Sequence, residues 1–499
     1  MVKLSEVVRL RFAAAIAVGM AAAAGAATSP GGPLVAVSAT EEAAAEAAAV
    51  YIPVDCGEGS VLTVGEGAAA RELAKVLAPY SGKPGTMLFF ELKVADRTVD
   101  SDMTGWRTGY AYAFAEAVLA VRPGFTNIVA FATDMGILET LKAHFPACPS
   151  GFRSRYHGGK SSEYRRGRLT SNPWVWLPFA ETPVTTVKIA QDAGAKVLMA
   201  PVADRVAYDQ ARTMGVDAVI AADPALEAFN RKAPPRRCDV IPPGARALGF
   251  TKCVVDERNV SPADIKTDYS DPSPAKWYSG LWFRKEKPPA ECYTNRWGFL
   301  EMTSDCVIMS TPPHFGEKGL LPVLPGKDGF YIEFTVSLSD FHPSHACSLW
   351  MYPTKKLGGG GDVPWFLEID VDEARFGMGL SGTIHSMGEG NPMHLSNYNN
   401  VRIREMDRTK PITFGASYDP RTSTCAWWHS LAGEGELEMY EGSPFVPEIA
   451  KDEDFFFIVT CRGPEGKYKG SQPTYWKYLY SMRVFVPETS PLPAVKEVQ

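Results

Sequence analysis

The sequence predicts two domains: a (β/α)8-like barrel followed by an all-β sandwich. Three observations carry this expectation. The chain has 499 residues, enough for two to four domains at roughly 150 residues each. From residue 33 to residue 245, short apolar runs alternate with helical stretches, the pattern of a parallel sheet and, at this length, of a barrel. After Trp277 helical patterns almost cease, and β-prone runs follow one another between Gly, Pro and Asn. The chain is 45% hydrophobic and 22% charged, an ordinary globular mix that excludes a mainly disordered, collagen-like or coiled-coil protein.

The N-terminus reads as a signal peptide over residues 1–27. Lys3, Arg9 and Arg11 give a basic start diluted by Glu6, Phe12 to Ala24 form the apolar stretch, and Ala24-Gly25-Ala26-Ala27 offers small-residue cleavage sites. The expected location is therefore outside the cell, in a periplasm or at the cell surface. The apolar run is short for a spanning helix, which needs about 20 residues, and no other segment is long enough, so no membrane span is expected. The net charge is −6 and no long basic run occurs, so no nucleic-acid partner is expected.

The barrel is expected over 33–245. Its strand candidates are Leu34–Ser38, Tyr51–Asp55, Met87–Leu92, Asn127–Ala132, Lys196–Ala200 and Ala218–Ala221. Helical stretches at Ala68–Ala78, Gly109–Ala120, Gly136–His144 and Val184–Ala193 lie between several of them. Turn-rich residues 246–276 read as a linker. The sandwich is expected over 277–490, with Tyr331–Val336, Phe366–Val371, Ile412–Ser417 and Phe455–Thr460 among its strands. Nine cysteines without a C-x-x-C spacing argue against a zinc ribbon or a thioredoxin-type site. Export permits disulfides, with Cys238–Cys253 and Cys292–Cys306 among the choices. Isolated buried thiols are the alternative, and spacing alone does not pair the cysteines.

The segment Trp365-Phe366-Leu367-Glu368-Ile369-Asp370-Val371-Asp372-Glu373 is the most informative. Alternate side chains of a strand share a face, so Glu368, Asp370 and Asp372 would point one way with Ile369 and Val371 in the core. Like charges on one face cost stability. A solvated edge strand or a calcium site would account for them, and so would a pair of carboxyl groups flanking a sugar linkage. In retaining glycosidases two such groups stand about 5–5.5 Å apart, one attacking and the other protonating the leaving oxygen. A third acid between them can orient the nucleophile and separate the pKa values of the pair.

The order Glu368-Ile369-Asp370-Val371-Asp372-Glu373 resembles the catalytic strand of glycoside hydrolase family 16. Its surroundings are also similar: Phe330–Phe334 and Ala346–Pro353 upstream, Gly382–His385 and Phe414–Pro420 downstream, ending at Trp427-Trp428. The resemblance spans about residues 277–488. It implies a concanavalin-like β-jelly-roll that cleaves β-linked glucans or galactans with retention. Glu368 would be the nucleophile, Asp370 its assistant and Glu373 the general acid/base. Strict alternation instead puts Asp372 on the face of Glu368, and a β-bulge is needed to bring Glu373 round. Trp350, Trp365, Trp427 and Trp428 are candidate sugar platforms and His385 a candidate hydrogen-bonding partner. Each has a core or structural alternative. No organic cofactor is required, and the resemblance allows a structural calcium ion on the sandwich.

The first half resembles the glycerophosphodiester phosphodiesterases over about residues 33–228, through Met87–Lys93, Ile128–Asp134, Gln191–Val197 and Met214–Pro224. That chemistry needs two histidines and three carboxylates. Here Ala36-Val37-Ser38-Ala39 stands where a His-Arg-Gly turn belongs, Pro53 replaces a glutamate, and Gly65-Glu66 replaces His-Asp. Asp55 and Glu91 remain as a residual metal pair, but without the histidines general acid/base catalysis has no agent. The expected function is hydrolysis of a β-linked polysaccharide by the sandwich, beside a catalytically silent barrel. The alternatives are a carbohydrate-binding protein without turnover and a barrel that keeps metal-dependent phosphodiesterase activity.

Overall fold

In a computed structural model the described residues are 33–38, 47–56, 61–65, 70–94, 103–154, 173–226, 237–283, 288, 290–295, 297–303, 305–314, 316–339, 347–357, 365–373, 381–388, 398–402, 406–430, 438–445, 448–461 and 476–495. The expected signal peptide lies outside them. The chain divides into two compact units, Met1–Pro234 and Pro235–Gln499. Among the described residues no helix is long and apolar enough to cross a membrane.

The first unit is a closed barrel of eight parallel strands: Leu34–Ser38, Ala49–Cys56, Met87–Lys93, Ile128–Ala132, Ser150–Arg153, Trp174–Pro178, Lys196–Val202 and Ala218–Ala221. The first strand pairs with both the second and the last, which closes the ring. Six of these strands are legible in the sequence. The other two, Ser150–Arg153 and Trp174–Pro178, are too short or too aromatic to stand out from the segments around them. The interior is packed by Phe89, Val129, Phe131, Trp176, Leu198 and Ile220, while Met103–Leu119 and Met135–His144 cover the outside through Tyr110, Phe114, Ile137 and Leu141. The barrel is thus a filled core rather than a pore, and polar chemistry is confined to its ends.

The second unit is built from two antiparallel sheets. One runs Tyr293–Thr294, Leu300–Thr303, Trp476–Pro487, Phe330–Leu338, Ile412–Asp419, Thr424–Ser430 and Glu438–Phe445, with Phe250–Arg258 also paired to Trp476–Pro487. The other runs Ile265–Lys266, Trp277–Ser279, Cys306–Met309, Asp454–Cys461, Leu349–Pro353, Trp365–Asp372, Ser381–Gly388 and Tyr398–Arg402; its first two strands alone are parallel to each other. Residues of both sheets, among them Ile332, Phe334, Phe414 and Trp427 from one and Leu367, Ile369, Phe457 and Val459 from the other, share a single buried cluster. The unit is therefore a sandwich.

The linker expected over 246–276 is corrected. Thr251-Lys252-Cys253-Val254-Val255 is β-prone, and Phe250–Arg258 forms a full strand on Trp476–Pro487 with Cys253, Val254 and Val255 buried. The short helix Pro243–Ala247 belongs to the same unit, with Gly244 against the Trp428 indole. The turn signals are real, but they lie on either side of a strand that is needed to cover the sheet.

Candidate active site

The acid strand Trp365–Asp372 lies between Leu349–Pro353 and Ser381–Gly388. Leu367, Ile369 and Val371 are fully buried in the core between the sheets. That burial fixes the parity, because a slip of one residue would exchange apolar and acidic faces. Glu368 and Asp370 consequently sit on the opposite face, directly across from His385 and Thr383.

The required bulge is present. Leu349 opposes Asp372 and its neighbour Trp350 opposes Asp370, so the acid strand uses one more residue than its partner at Val371. Parity then inverts. Asp372 turns inward and is held by Arg408 through two hydrogen bonds of 2.7 and 2.8 Å, beside Val336, Leu338, Phe414 and Lys477. Glu373 comes round to the face of Asp370. Its Oε2 lies 3.8 Å from His385 Nε2 and 3.4 Å from Thr383 Oγ1, which donates to it. The same His385 nitrogen lies 2.9 Å from Asp370 Oδ2. Of the two residues left open by alternation, Glu373 stands with the cluster while Asp372 is committed to an internal ion pair.

Burial and mutual repulsion dominate the electrostatics. Desolvation, then the Asp370 carboxylate, pushes the Glu368 pKa well above the usual carboxylate range, with His385 acting in the opposite sense. Asp370 is raised to about 6, again first by burial, against the lowering influence of His385. Glu368, Asp370 and His385 place one donor atom each within 4.8 Å of one another, which among the described residues is the one cluster able to offer three ligands to a cation. A histidine among so few oxygens is unlike the all-oxygen shell that calcium takes.

The aromatic expectations divide. Trp427 is fully buried and spans the core from the other sheet, its indole Nε1 donating to the Asp370 carbonyl at 2.8 Å. Trp428 is buried on the far side of that sheet, with its Nε1 on Ser417 Oγ at 3.2 Å. Neither can stack on a sugar, and the platform expectation for both is corrected. Strand alternation did not warn of this, because both faces of their sheet are covered. Trp365 is on the acid strand, and its side chain lies outside the described residues. Trp350 is half-buried on the acid face, opposite Asp370 in register, and packs with Trp282 and Tyr352. The rings of Trp282 and Tyr352 stand 4.6 Å apart, and Phe366 joins them 5.1 Å from Tyr352. Tyr352, two residues beyond Trp350, could have been found by alternation; its hydroxyl is raised by burial and next by the charge of Glu368. Trp282 had no signal, since only folding brings it to this face.

In the barrel, Glu91 follows Phe89 by two residues and shares its inward face. Its carboxylate accepts hydrogen bonds from Tyr51 and from Arg153, whose guanidinium lies 4.6 Å over the Trp176 ring. A divalent cation at Glu91 would have to displace that guanidinium.

No protein-family profile matches the chain, and no curated protein is similar to it. Solved structures resemble its parts. A glycerophosphoryl diester phosphodiesterase from Silicibacter pomeroyi is 15% identical and covers 40% of this chain and 93% of its own, at a TM-score of 0.35. An endo-β-galactosidase from Clostridium perfringens is 15% identical over 49% of this chain and 64% of its own, at 0.33. The laminarinase catalytic domain of Thermotoga maritima is 15% identical over 48% of this chain and 99% of its own, at 0.31. At these scores the likenesses carry nothing about activity, and the fold rests on the strand order itself.

Proposed function

We propose that the sandwich is a family 16-like jelly-roll and a retaining endo-β-glycosidase that hydrolyses a β-linked glucan or galactan. The observation that carries the reading is the bulge at Val371, which sets Glu373 beside Asp370 and His385 on the face that already holds Glu368. An acid strand without a bulge would keep Asp372 on that face and turn Glu373 into the core.

In this reading Glu368 attacks the anomeric carbon as an anion while Glu373 protonates the departing oxygen. Glu373 then takes a proton from the water that releases the sugar. The raised affinity of Glu368 for its proton is the cost of a buried site, since two close carboxylates do not both ionise readily. Asp370 can hold the shared proton and leave Glu368 charged. Positive charge growing at the anomeric carbon favours the same microstate. Trp350, Trp282 and Tyr352 supply apolar faces for neighbouring sugar rings. No cofactor enters these steps. The barrel is proposed to be catalytically silent, because the residual Glu91 is neutralised by Arg153. Secretion is proposed from the N-terminal sequence.

The test is release of reducing ends from a panel of β-glucans, agars and carrageenans. Wild type should release them and Glu368→Gln should not. Azide should rescue Glu368→Ala by forming a glycosyl azide of inverted configuration. Retention of the glycan on a column with no reducing ends from wild type would make the protein a binder instead.

A further inference from the structure

The sandwich unit brings six of the nine cysteines together two by two. Cys347 Sγ lies 3.6 Å from Cys461 Sγ, although the two residues are 114 positions apart in the chain. Thr460 donates its backbone N–H to the Ser348 carbonyl, and Leu349 opposes Val459, so Cys347 and Cys461 extend the same register. They flank the hydrogen-bonded pair Ser348–Thr460 and fall at a non-hydrogen-bonded position. Facing Cα atoms at such a position are about 4.5 Å apart, inside the range a disulfide spans. Cys306 also faces Cys461, across its other edge. Its thiol is turned away, to Thr303 Oγ1 at 3.2 Å and the Cys292 carbonyl at 3.6 Å. Cys238 and Cys253 belong to one apolar cluster under Trp428, with Cys238 Sγ 3.7 Å from Asp256 Oδ2 and Cys253 Sγ donating to the Val255 carbonyl next to it at 3.4 Å.

All nine cysteines are thiols in the structure. We infer that the sandwich carries three disulfides in its mature form: Cys347–Cys461, Cys292–Cys306 and Cys238–Cys253. The oxidant required is a disulfide such as oxidised glutathione. One cysteine thiolate attacks it and expels one glutathione thiol, and the second cysteine then attacks the mixed disulfide and expels the other. Each closure oxidises two protein thiols and reduces one glutathione disulfide. Cys306, Cys347 and Cys461 are at most 1% exposed, so exchange takes place while the sheets are still apart. The longest link lies beneath the acid strand. Cys347 is two residues before Leu349, which opposes Asp372 at the bulge, and Lys477 Nζ donates to the Cys347 carbonyl at 2.9 Å. The Cys347–Cys461 bond would therefore tie down the neighbour against which Glu373 is turned.

The test is to refold the full chain from denaturant in a glutathione redox buffer, block remaining thiols and digest without reductant. Mass spectrometry should then find three linked peptide pairs with this connectivity. Thermal unfolding without reductant should lie about 10 °C above the reduced protein. The double variant Cys347→Ala/Cys461→Ala should keep the other two links and lose most of that difference. Alkylation of all six thiols, or linkage of Cys306 to Cys461, would overturn the inference. So would equal midpoints of oxidised and reduced wild type.

Discussion

Buried carboxylates occur in both halves of the protein and are treated in opposite ways. In the barrel, Glu91 is buried, yet a tyrosine hydroxyl and a guanidinium meet it. On the acid strand, Asp372 is treated likewise by Arg408. Two residues earlier the pattern stops: Glu368 and Asp370 have each other and His385, and burial drives both pKa values upward. A carboxylate with a permanent cation beside it is a structural part. A group of carboxylates left in mutual conflict is costly, and such conflicts gather where protons are moved. The difference between the two regions thus supports the proposed site without reference to any relative.

The largest expected effect would break that contrast outright. Glu368→Gln should lower reducing-end release by at least about 10³-fold, while Glu91→Gln should leave it within about 2-fold. If Glu91→Gln is the more damaging substitution, the assignment of roles to the two halves is wrong.

The next effect sharpens the comparison through the cations. Arg408→Met strips the buried Asp372 of both guanidinium hydrogen bonds, and should cost about 3–5 kcal/mol in denaturant unfolding of the sandwich. It should also cut activity, because the bulge loses its inner anchor. The double variant Arg408→Met/Asp372→Asn should recover much of the stability, as no charge is then stranded. Removal of Arg153 should cost less, since its side chain is more than a third exposed and Tyr51 remains on Glu91.

Gly382 provides a smaller test of how the site is held. A Cβ built there would stand 2.2 Å from the Trp427 indole, the ring that donates to the Asp370 carbonyl. Gly382→Ala should cost about 1–3 kcal/mol by overpacking and lower kcat with little change in KM.

The smallest effect is a pH dependence. Glu453 is buried, ion-paired with Lys355 at 2.5 Å, and raised by burial to about 7 from an ordinary 4.5. Between those values the folded state holds a proton that the unfolded state has released, so stability falls as pH rises from about 4.5 to 7 and is level above. Glu453→Gln should remove its share of that slope, at most about 3 kcal/mol, seen as thermal midpoints that decline less steeply over this window, while the raised Glu368 and Asp370 keep their own share.

Much of the molecule was legible before folding. Six of eight barrel strands and the four β-prone runs chosen in the second half lie on observed strands, because apolar alternation reports burial directly. The acid strand was legible for the same reason, including the need for a bulge between Asp370 and Glu373. The strand inside the supposed linker was missed because its few apolar residues are framed by turn formers, and its burial depends on a partner more than 200 residues away.

Sequence by itself therefore determined that Leu367, Ile369 and Val371 face the core and that Glu368 and Asp370 share the other face, since both follow from the period of two. Only the tertiary structure decided which tryptophans meet solvent, which acid receives an arginine and which thiols touch. Trp350 and Trp427 look equivalent along the chain, yet one lies on the acid face and the other inside the sandwich. The reason is that exposure, ion pairing and thiol contact belong to pairs of strands, and strand pairing is settled by packing between segments far apart in the chain.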